Sequence, residues 1–248
     1  MNLEIIIHPD YVSQHEAIIA LLLGFDKNEN FVTKGDRNVI KKAGLGQKVV
    51  NIKSFKKPNF FQSIVYAYVR KSKAERSFEY AKLLTEKGIN TPAPIAYAIN
   101  KKGGIAESYY ISAHLSYDLD FRVLNHTPLY PERDIILRQF AAFTFKLHEA
   151  GIEFLDHSPG NTLIKKVSPE QYEFYLIDLN RMKFGEMSLE KRMHNFRRLW
   201  LSKKMINVMA PVYAKLAGVS ETEIHMLMSK YSKEFQRKVN RKKLRRRK

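Results

Sequence analysis

Apolar and polar positions change period several times along the chain, and each change marks an element. Between Pro9 and Leu23, apolar side chains at Val12, Ile18, Ile19, Leu22 and Leu23 predict a helix. From Phe31 the period shortens. Phe31-Val32, Val39-Ile40 and Val49-Val50-Asn51-Ile52 are β-like pieces separated by Gly35, Gly44 and Gly46, and they predict a small antiparallel sheet. A helix then starts near Ser72. Ser72 with Glu75 three residues on fits a capping box, and Phe78, Ala81 and Leu84 follow as an apolar stripe. Gly88 ends this helix, and Thr91-Pro92-Ala93-Pro94 bars its continuation. Ile95 to Ile99 and Ser108 to Ser112 read as two more strands, joined across Lys101 to Gly104.

After about Leu115 the pattern turns helical. Ile136, Phe140, Phe143 and Leu147, flanked by Leu137, Ala141 and Thr144, give the stretch from Pro131 to Ala150 one broad buried face. Two short apolar runs follow, Thr162-Leu163-Ile164 and Phe174-Tyr175-Leu176-Ile177. Lys165 to Tyr172, containing Pro169, joins them as a loop, so they predict a hairpin. From Leu189 the chain reads as helices. The expected organisation is α+β: a helical extension over residues 1–30, an antiparallel sheet with one helix over 31–114, a mostly helical part over 115–235, and a basic tail over 236–248.

Composition narrows the class. Of 248 residues, 44% are hydrophobic and 12% aromatic, enough to build a core and to exclude global disorder. The absence of cysteine excludes disulfides and thiolate metal sites, and points to a reducing compartment. The formal charge is +18. Nine of the last twelve residues, Arg237 to Lys248, are Lys or Arg, which leaves about +9 on the rest. Such a surface attracts nucleic acid, anionic lipid headgroups or phosphorylated glycolipids, although the tail alone also reads as a disordered solvated end. No recognition helix or aromatic RNA-binding signature accompanies the charge, so no specific nucleic-acid partner is expected. The first residues lack the basic start of a signal peptide, and the apolar stretch Ala17 to Phe25 is too short to span a bilayer. A cytoplasmic protein is expected, with a basic patch suited to the inner face of the membrane.

Three segments carry chemistry. Asp156-His157-Ser158-Pro159-Gly160-Asn161 has the D-x-x-x-x-N spacing of a kinase catalytic loop and sits between a long helix and a β-like run. A carboxylate at its start can accept a hydroxyl proton, and an amide oxygen five residues on can ligate Mg2+. The same composition also suits an ordinary surface turn. The hairpin favours the first reading over the second, because it brings Asp178, just past its second strand, to the edge where Asn161 precedes the first. The second segment is Lys53, at the end of a strand after two glycines, where it can reach the phosphates of ATP; in a chain this rich in Lys it also reads as an ordinary exposed lysine. Glu75 and Glu79 are its candidate carboxylate partners. Glu75 already serves the helix cap, which favours Glu79. The third is Gly44-Leu45-Gly46, a turn that can cover phosphates and that by itself also reads as a plain hairpin turn.

Taken together these residues resemble the lipopolysaccharide core kinases, the Kdo and heptose kinase family of protein-kinase-like enzymes. Four stretches spanning about residues 35–200 carry the resemblance. They are Arg37-Asn38 through Val50-Asn51-Ile52-Lys53; Arg70-Lys71-Ser72-Lys73-Ala74 with Glu79 and Gly88-Ile89-Asn90-Thr91-Pro92; the loop ending Asn161-Thr162-Leu163-Ile164; and Leu176-Ile177-Asp178-Leu179-Asn180-Arg181 followed by Asn195-Phe196-Arg197-Arg198-Leu199. The last is similar to that family's I-D-F-D-[RK] and N-L-x-R-L patterns. The resemblance implies a two-lobed protein-kinase-like fold, ATP and Mg2+ as cofactors, and an anionic glycolipid substrate. It implies Asp156 as catalytic base, Asn161 and Asp178 as metal ligands, and Lys53 with Glu79, Gly44 and Gly46 on the nucleotide. Arg197 and Arg198 would serve either structure or an anionic substrate.

The chain departs from the pattern in three places. Phe154 stands where kinases have the His of H-x-D, and would brace the loop by packing. Leu179-Asn180 replaces Phe-Gly after the metal-binding Asp, and Asn180 also replaces the second acid of I-D-F-D. The glycine loop is degenerate. The alternative is a pseudokinase or binding module that docks on an anionic membrane or partner through its basic surface.

Overall fold

The computed structural model describes residues 3–35, 38–56, 71–101 and 105–245. Arg37, Arg70, residues 102–104 of the expected turn and residues 246–248 of the basic tail lie outside the described residues. The chain divides into two compact units, Met1–Leu115 and Ser116–Lys248.

The first unit is built on a six-stranded antiparallel sheet. Its elements in chain order are β1 (Leu3–Ile7), α1 (His15–Leu23, entered through a 3-10 turn, Pro9–Gln14), β2 (Phe31–Lys34), β3 (Asn38–Leu45), β4 (Lys48–Phe55), α2 (Lys73–Glu86), β5 (Pro94–Lys101) and β6 (Ile105–Ala113). The sheet order is β1-β5-β6-β4-β3-β2. The helical extension expected over residues 1–30 is corrected at its start: Leu3–Ile7 is an edge strand that pairs antiparallel with β5, Ile5 opposite Ala98. The β-branched run Ile5-Ile6-Ile7 suits a pleated surface. Leu3, Ile5 and Ile7 face the core, while Glu4 and Ile6 face outward.

Among the described residues, one helix lies on each face of the sheet. Ile18 and Leu22 of α1, with Phe25, pack on Val50 and Ile52 of β4, Ile95 of β5 and Ile111 of β6. On the other face, Ala74 and Phe78 of α2 meet Phe55, Tyr97 and Ile99. Strand side chains alternate between faces. Val50 and Ile52 therefore point toward α1, and Lys53 shares the α2 face with Phe55. The predicted cap of α2 is present. The Glu75 backbone N–H donates to Ser72 Oγ over 3.0 Å, and at the other end Gly88 takes φ +66° while Ile89 N–H donates to Leu84 O over 2.8 Å.

The second unit is mostly helical. It contains β7 (Leu119–Asp120), α3 (Phe121–His126), α4 (Arg133–Glu149), β8 (Ile152–Phe154), β9 (Thr162–Ser168), β10 (Gln171–Leu176), β11 (Met182–Phe184), α5 (Leu189–Asn195), α6 (Lys203–Ala217) and α7 (Glu221–Arg245). The expected hairpin is β9–β10, with Thr162 opposite Leu176 and Leu163 opposite Tyr175. Its Ile164 and Phe174 join Ile136, Leu137 and Phe140 of α4 and Met209 and Tyr213 of α6 in one core. Phe140 is fully buried, and burial of this kind makes Phe→Ala cost about 3–5 kcal/mol. The reading of the C-terminal tail as a disordered end is corrected: α7 runs unbroken through Arg245. Ile224, Leu227, Met228 and Ser232 are buried on its first half, so the basic second half continues a helix already anchored to the core.

Candidate active site

The loop from Asp156 to Asn161 leaves β8 and enters β9 through a 3-10 turn over Pro159–Asn161. Its shape is set by hydrogen bonds to its own backbone. Ser158 N–H donates to Asp156 O over 2.7 Å, and Asn161 N–H donates to Ser158 O over 2.9 Å. The Asn161 side chain donates from Nδ2 to the same Asp156 carbonyl over 2.8 Å. That bond fixes the amide's orientation, because only the NH2 end can donate to a carbonyl. Asn161 Oδ1 is thereby left to accept or to ligate a cation.

Asp178 stands two residues beyond β10. Ile177 N–H donates to Asn161 O over 3.0 Å, so the end of the hairpin's second strand is tied to the residue that opens the first. Asp178 adopts φ +59°, in the left-handed region that side chains other than glycine enter at a cost. Asn180 Nδ2 donates to Asp178 Oδ1 over 2.7 Å, holding one carboxylate oxygen. Asn180 thus has a use of its own where the related pattern has an acid.

The loop is braced from below by a buried relay. Asn195 Nδ2 donates to Phe154 O over 2.9 Å. Asn195 Oδ1 must then accept, and His148 Nε2 donates to it over 3.3 Å. His148 Nδ1 in turn accepts from the Tyr213 hydroxyl over 2.8 Å. Burial pushes the His148 pKa down to about 3, so this imidazole stays neutral and keeps one tautomer. Next to Asp156, His157 is fully buried, with the Asn195 side chain as its polar neighbour. Its ring lies between Phe154 and Phe140, with centroids 5.8 and 5.7 Å away, and burial lowers its pKa to about 4. Phe154 is itself fully buried, so the position kinases fill with His supports the loop here by packing and through its carbonyl.

Asp156 meets two guanidinium groups. Arg181 Nη1 donates to Oδ1 over 3.2 Å and to Oδ2 over 3.4 Å. Arg198 Nη1 lies 3.2 Å from the same Oδ1. The neighbouring Arg197 does something different. It donates to His194 O over 2.8 Å and does not pair with Asp156. The two arginines that sequence left unresolved are thus separated by geometry.

The nucleotide-side candidates belong to the first unit. Lys53 on β4 lies opposite Ile40 on β3 and Tyr110 on β6, and its Nζ is 5.1 Å from the centroid of the Phe55 ring. Glu79 is ion-paired with Lys71, whose Nζ is also 3.9 Å from Glu75. Lys71 is a partner that sequence did not supply. Burial and the nearby Glu79 charge raise the Glu75 pKa. Gly44 lies inside β3, and Gly46, with φ +58°, opens the two-residue turn to β4; a side chain at either would meet nothing within 4 Å. The backbone here is open to close approach by a ligand.

Two functional features escaped sequence reasoning: the Asn195–His148–Tyr213 relay and the convergence of Arg181 and Arg198 on Asp156. Asn195, Arg181 and Arg198 all stand in stretches that had drawn attention. The missing signal was the identity of their partners, which lie between 25 and 47 residues away in sequence.

An antiparallel sheet with one long helix, followed by a helical unit whose hairpin is preceded by a D-x-x-x-x-N loop, defines a protein-kinase-like chain. The chain belongs to the lipopolysaccharide kinase (Kdo/WaaP) family, whose model matches residues 56–231. Membership places it among phosphotransferases. No curated protein sequence matches it. Among solved structures it is similar to WaaP in complex with acyl carrier protein, with TM-score 0.63 and 16% identity, over 97% of this chain and 99% of that one. At that identity the likeness concerns the fold. No helix among the described residues is long and apolar enough to cross a membrane.

Proposed function

We propose that the protein transfers the γ-phosphate of ATP to a sugar hydroxyl of a lipopolysaccharide core precursor, with Mg2+ as cofactor. The observation that carries this reading is the hydrogen-bonded unit of Asp156, Asn161 and Ile177-Asp178. It gathers a carboxylate for the hydroxyl and two oxygen donors for a metal on one edge of the hairpin.

The donor set suits the metal. Mg2+ prefers hard oxygen ligands and is usually held by one or two carboxylates together with substrate phosphates and water. Asn161 Oδ1 is turned away from its own hydrogen bond, and Asp178 supplies a carboxylate whose Oδ1 accepts from Asn180. When bound, the ion neutralises charge on the phosphates and orients the transferring group. The protein's own side chains do the rest. Asp156 orients the acceptor hydroxyl and takes its proton. Lys53 balances phosphate charge, and Glu79, on the helix covering the same sheet face, holds it in place by exchanging Lys71 for Lys53. The open backbone at Gly44 and Gly46 lets the first hairpin approach the phosphates.

Exposed cations Lys230, Lys233, Arg237 and Arg241 form a stripe at helical spacing along α7. It suits the protein to the anionic surface where a glycolipid acceptor resides.

Nucleotide binding tests the site directly. Calorimetry should show ATP binding that strengthens with Mg2+ in the wild type, and Asp178→Asn should lose the metal-dependent part. ATP binding that ignores both Mg2+ and Asp178 would remove the metal assignment. Binding without turnover would make the protein a pseudokinase.

A further inference from the structure

A carboxylate that is to receive a hydroxyl proton must offer a free lone pair to that hydroxyl. Asp156 is instead engaged from two sides. Arg181 reaches both of its oxygens, and Arg198 lies 3.2 Å from Oδ1. Two guanidinium charges meet one carboxylate charge, so the cluster keeps an excess positive charge at the point where the acceptor must arrive.

The two arginines are mounted differently. Arg181 follows Asn180 in the segment between Asp178 and β11, and its side chain is 53% exposed. Arg198 is seated more firmly: its guanidinium carbon stands 6.0 Å from the centroid of the Phe235 ring on α7, and its Nε is buried without a protein partner among the described residues. A buried guanidinium N–H without a partner is costly, and a guanidinium fork is the donor geometry that matches phosphate and carboxylate oxygens. A third guanidinium, that of Arg122, lies against Gly160 of the same loop, where a Cβ would come within 1.9 Å of Nη2. Arg122 is itself paired with Asp120 over 3.3 Å, so the excess positive charge at this edge is that of Arg181 and Arg198.

We propose that Arg181 and Arg198 form a receptor for an anionic substituent of the acceptor, a phosphate or carboxylate near the reacting hydroxyl. Its arrival draws the guanidinium groups off Asp156 and frees the carboxylate for the hydroxyl. The inference rests on Asp156 as the base. In the free protein Asp156 acts as a stand-in ligand that keeps the receptor occupied, and a neutral acceptor leaves that pairing in place. The acceptor's own charge is thereby required for the base to be available.

This competition can be measured without turnover, by calorimetric titration of inorganic phosphate into the full chain. Asp156→Asn removes the competing charge while conserving shape, so phosphate should bind about 10-fold tighter or more, the size of one charge-assisted hydrogen bond. Asp156→Asn/Arg181→Gln should lose that gain. Arg181 is half-exposed, so its replacement spares the fold, and Arg198→Lys checks the second arm with charge retained. Unchanged or weaker phosphate binding by Asp156→Asn overturns the proposal.

The activity arm uses a Kdo-bearing lipid A precursor, its dephosphorylated form and its carboxyl methyl ester. Wild type should show a raised acceptor KM for one of the two modified forms, and Arg181→Gln should erase that difference with KM for ATP unchanged. Equal use of all three acceptors, or an effect of Arg181→Gln on KM for ATP instead, overturns it. Absence of transfer to any acceptor would remove the kinase reading, while the phosphate titration still decides the receptor.

Discussion

Asn195 donates a hydrogen bond to the carbonyl of Phe154 over 2.9 Å, joining the end of α5 to the strand that launches the Asp156 loop, 41 residues earlier in the chain. Asn195 is 1% exposed and Phe154 is fully buried, so water cannot replace either partner. Asn195→Ala would leave the His148 Nε2–H unpaired and the Phe154 carbonyl with the His157 N–H alone, which lies 3.2 Å away, at a cost of about 1–3 kcal/mol. Urea unfolding should register this loss. In steady-state kinetics kcat should fall with little change in KM for ATP, because the bond positions the base loop. Asn195→Asp should fare no better, since a carboxylate cannot donate to Phe154.

Stability should depend on pH through His148 and His157. Burial lowers their folded pKa values to about 3 and about 4, whereas an unfolded histidine titrates near 6.5. Between those values the unfolded chain binds more protons than the folded one. Their contribution is therefore complete above about pH 6.5 and is lost as pH falls toward 4, at up to about 1.4 kcal/mol per pH unit for each group. Urea midpoints from pH 7 to 4.5 should follow this slope, and His157→Leu should flatten it by one proton. A stability that does not change between pH 6.5 and 4.5 would count against neutral buried imidazoles.

The backbone at Asp178 separates strain from function. Asp178→Ala and Asp178→Gly both remove the carboxylate, but only glycine takes φ +59° without steric cost. Both variants should be inactive, and the glycine variant should be more stable than the alanine variant by about 1 kcal/mol in thermal or urea unfolding. Equal stability of the two would mean that this φ carries no strain.

Asn161→Ala should raise the Mg2+ concentration needed for half-maximal activity by an order of magnitude or more, with stability lowered by about 1 kcal/mol through loss of the bond to the Asp156 carbonyl. A Mg2+ titration of initial rates checks the first effect. An unchanged Mg2+ requirement would confine Asn161 to holding the loop.

Local rules were enough to place much of this fold. Ser72, Glu75 and Gly88 delimit α2 because caps act within one turn of helix. The β9–β10 hairpin follows from two apolar runs and the turn between them. These elements carry Asp178 to Asn161, so the main juxtaposition in the candidate site was legible too. What escaped depends on partners far along the chain. Leu3–Ile7 is a strand because β5, more than 80 residues later, offers it an edge. The end of α7 is helical because Ile224 to Ser232 anchor the helix before its basic half begins. Arg198 and Arg197 are adjacent and chemically alike, and only the packing of the segment after α5 sends one to Asp156 and the other to His194.

The central claim is that Asp156, Asn161 and Asp178 support phosphoryl transfer to a lipopolysaccharide core sugar. The most direct test is to incubate the full chain with Mg2+, γ-labelled ATP and a Kdo-bearing lipid A precursor, and to follow label into the glycolipid, with Asp156→Ala alongside. Labelled glycolipid from the wild type, reduced by at least about 100-fold in the variant, is the predicted result. Transfer that persists in Asp156→Ala at the wild-type rate, or no label in any of several core glycolipids together with no ATP binding, would contradict the account.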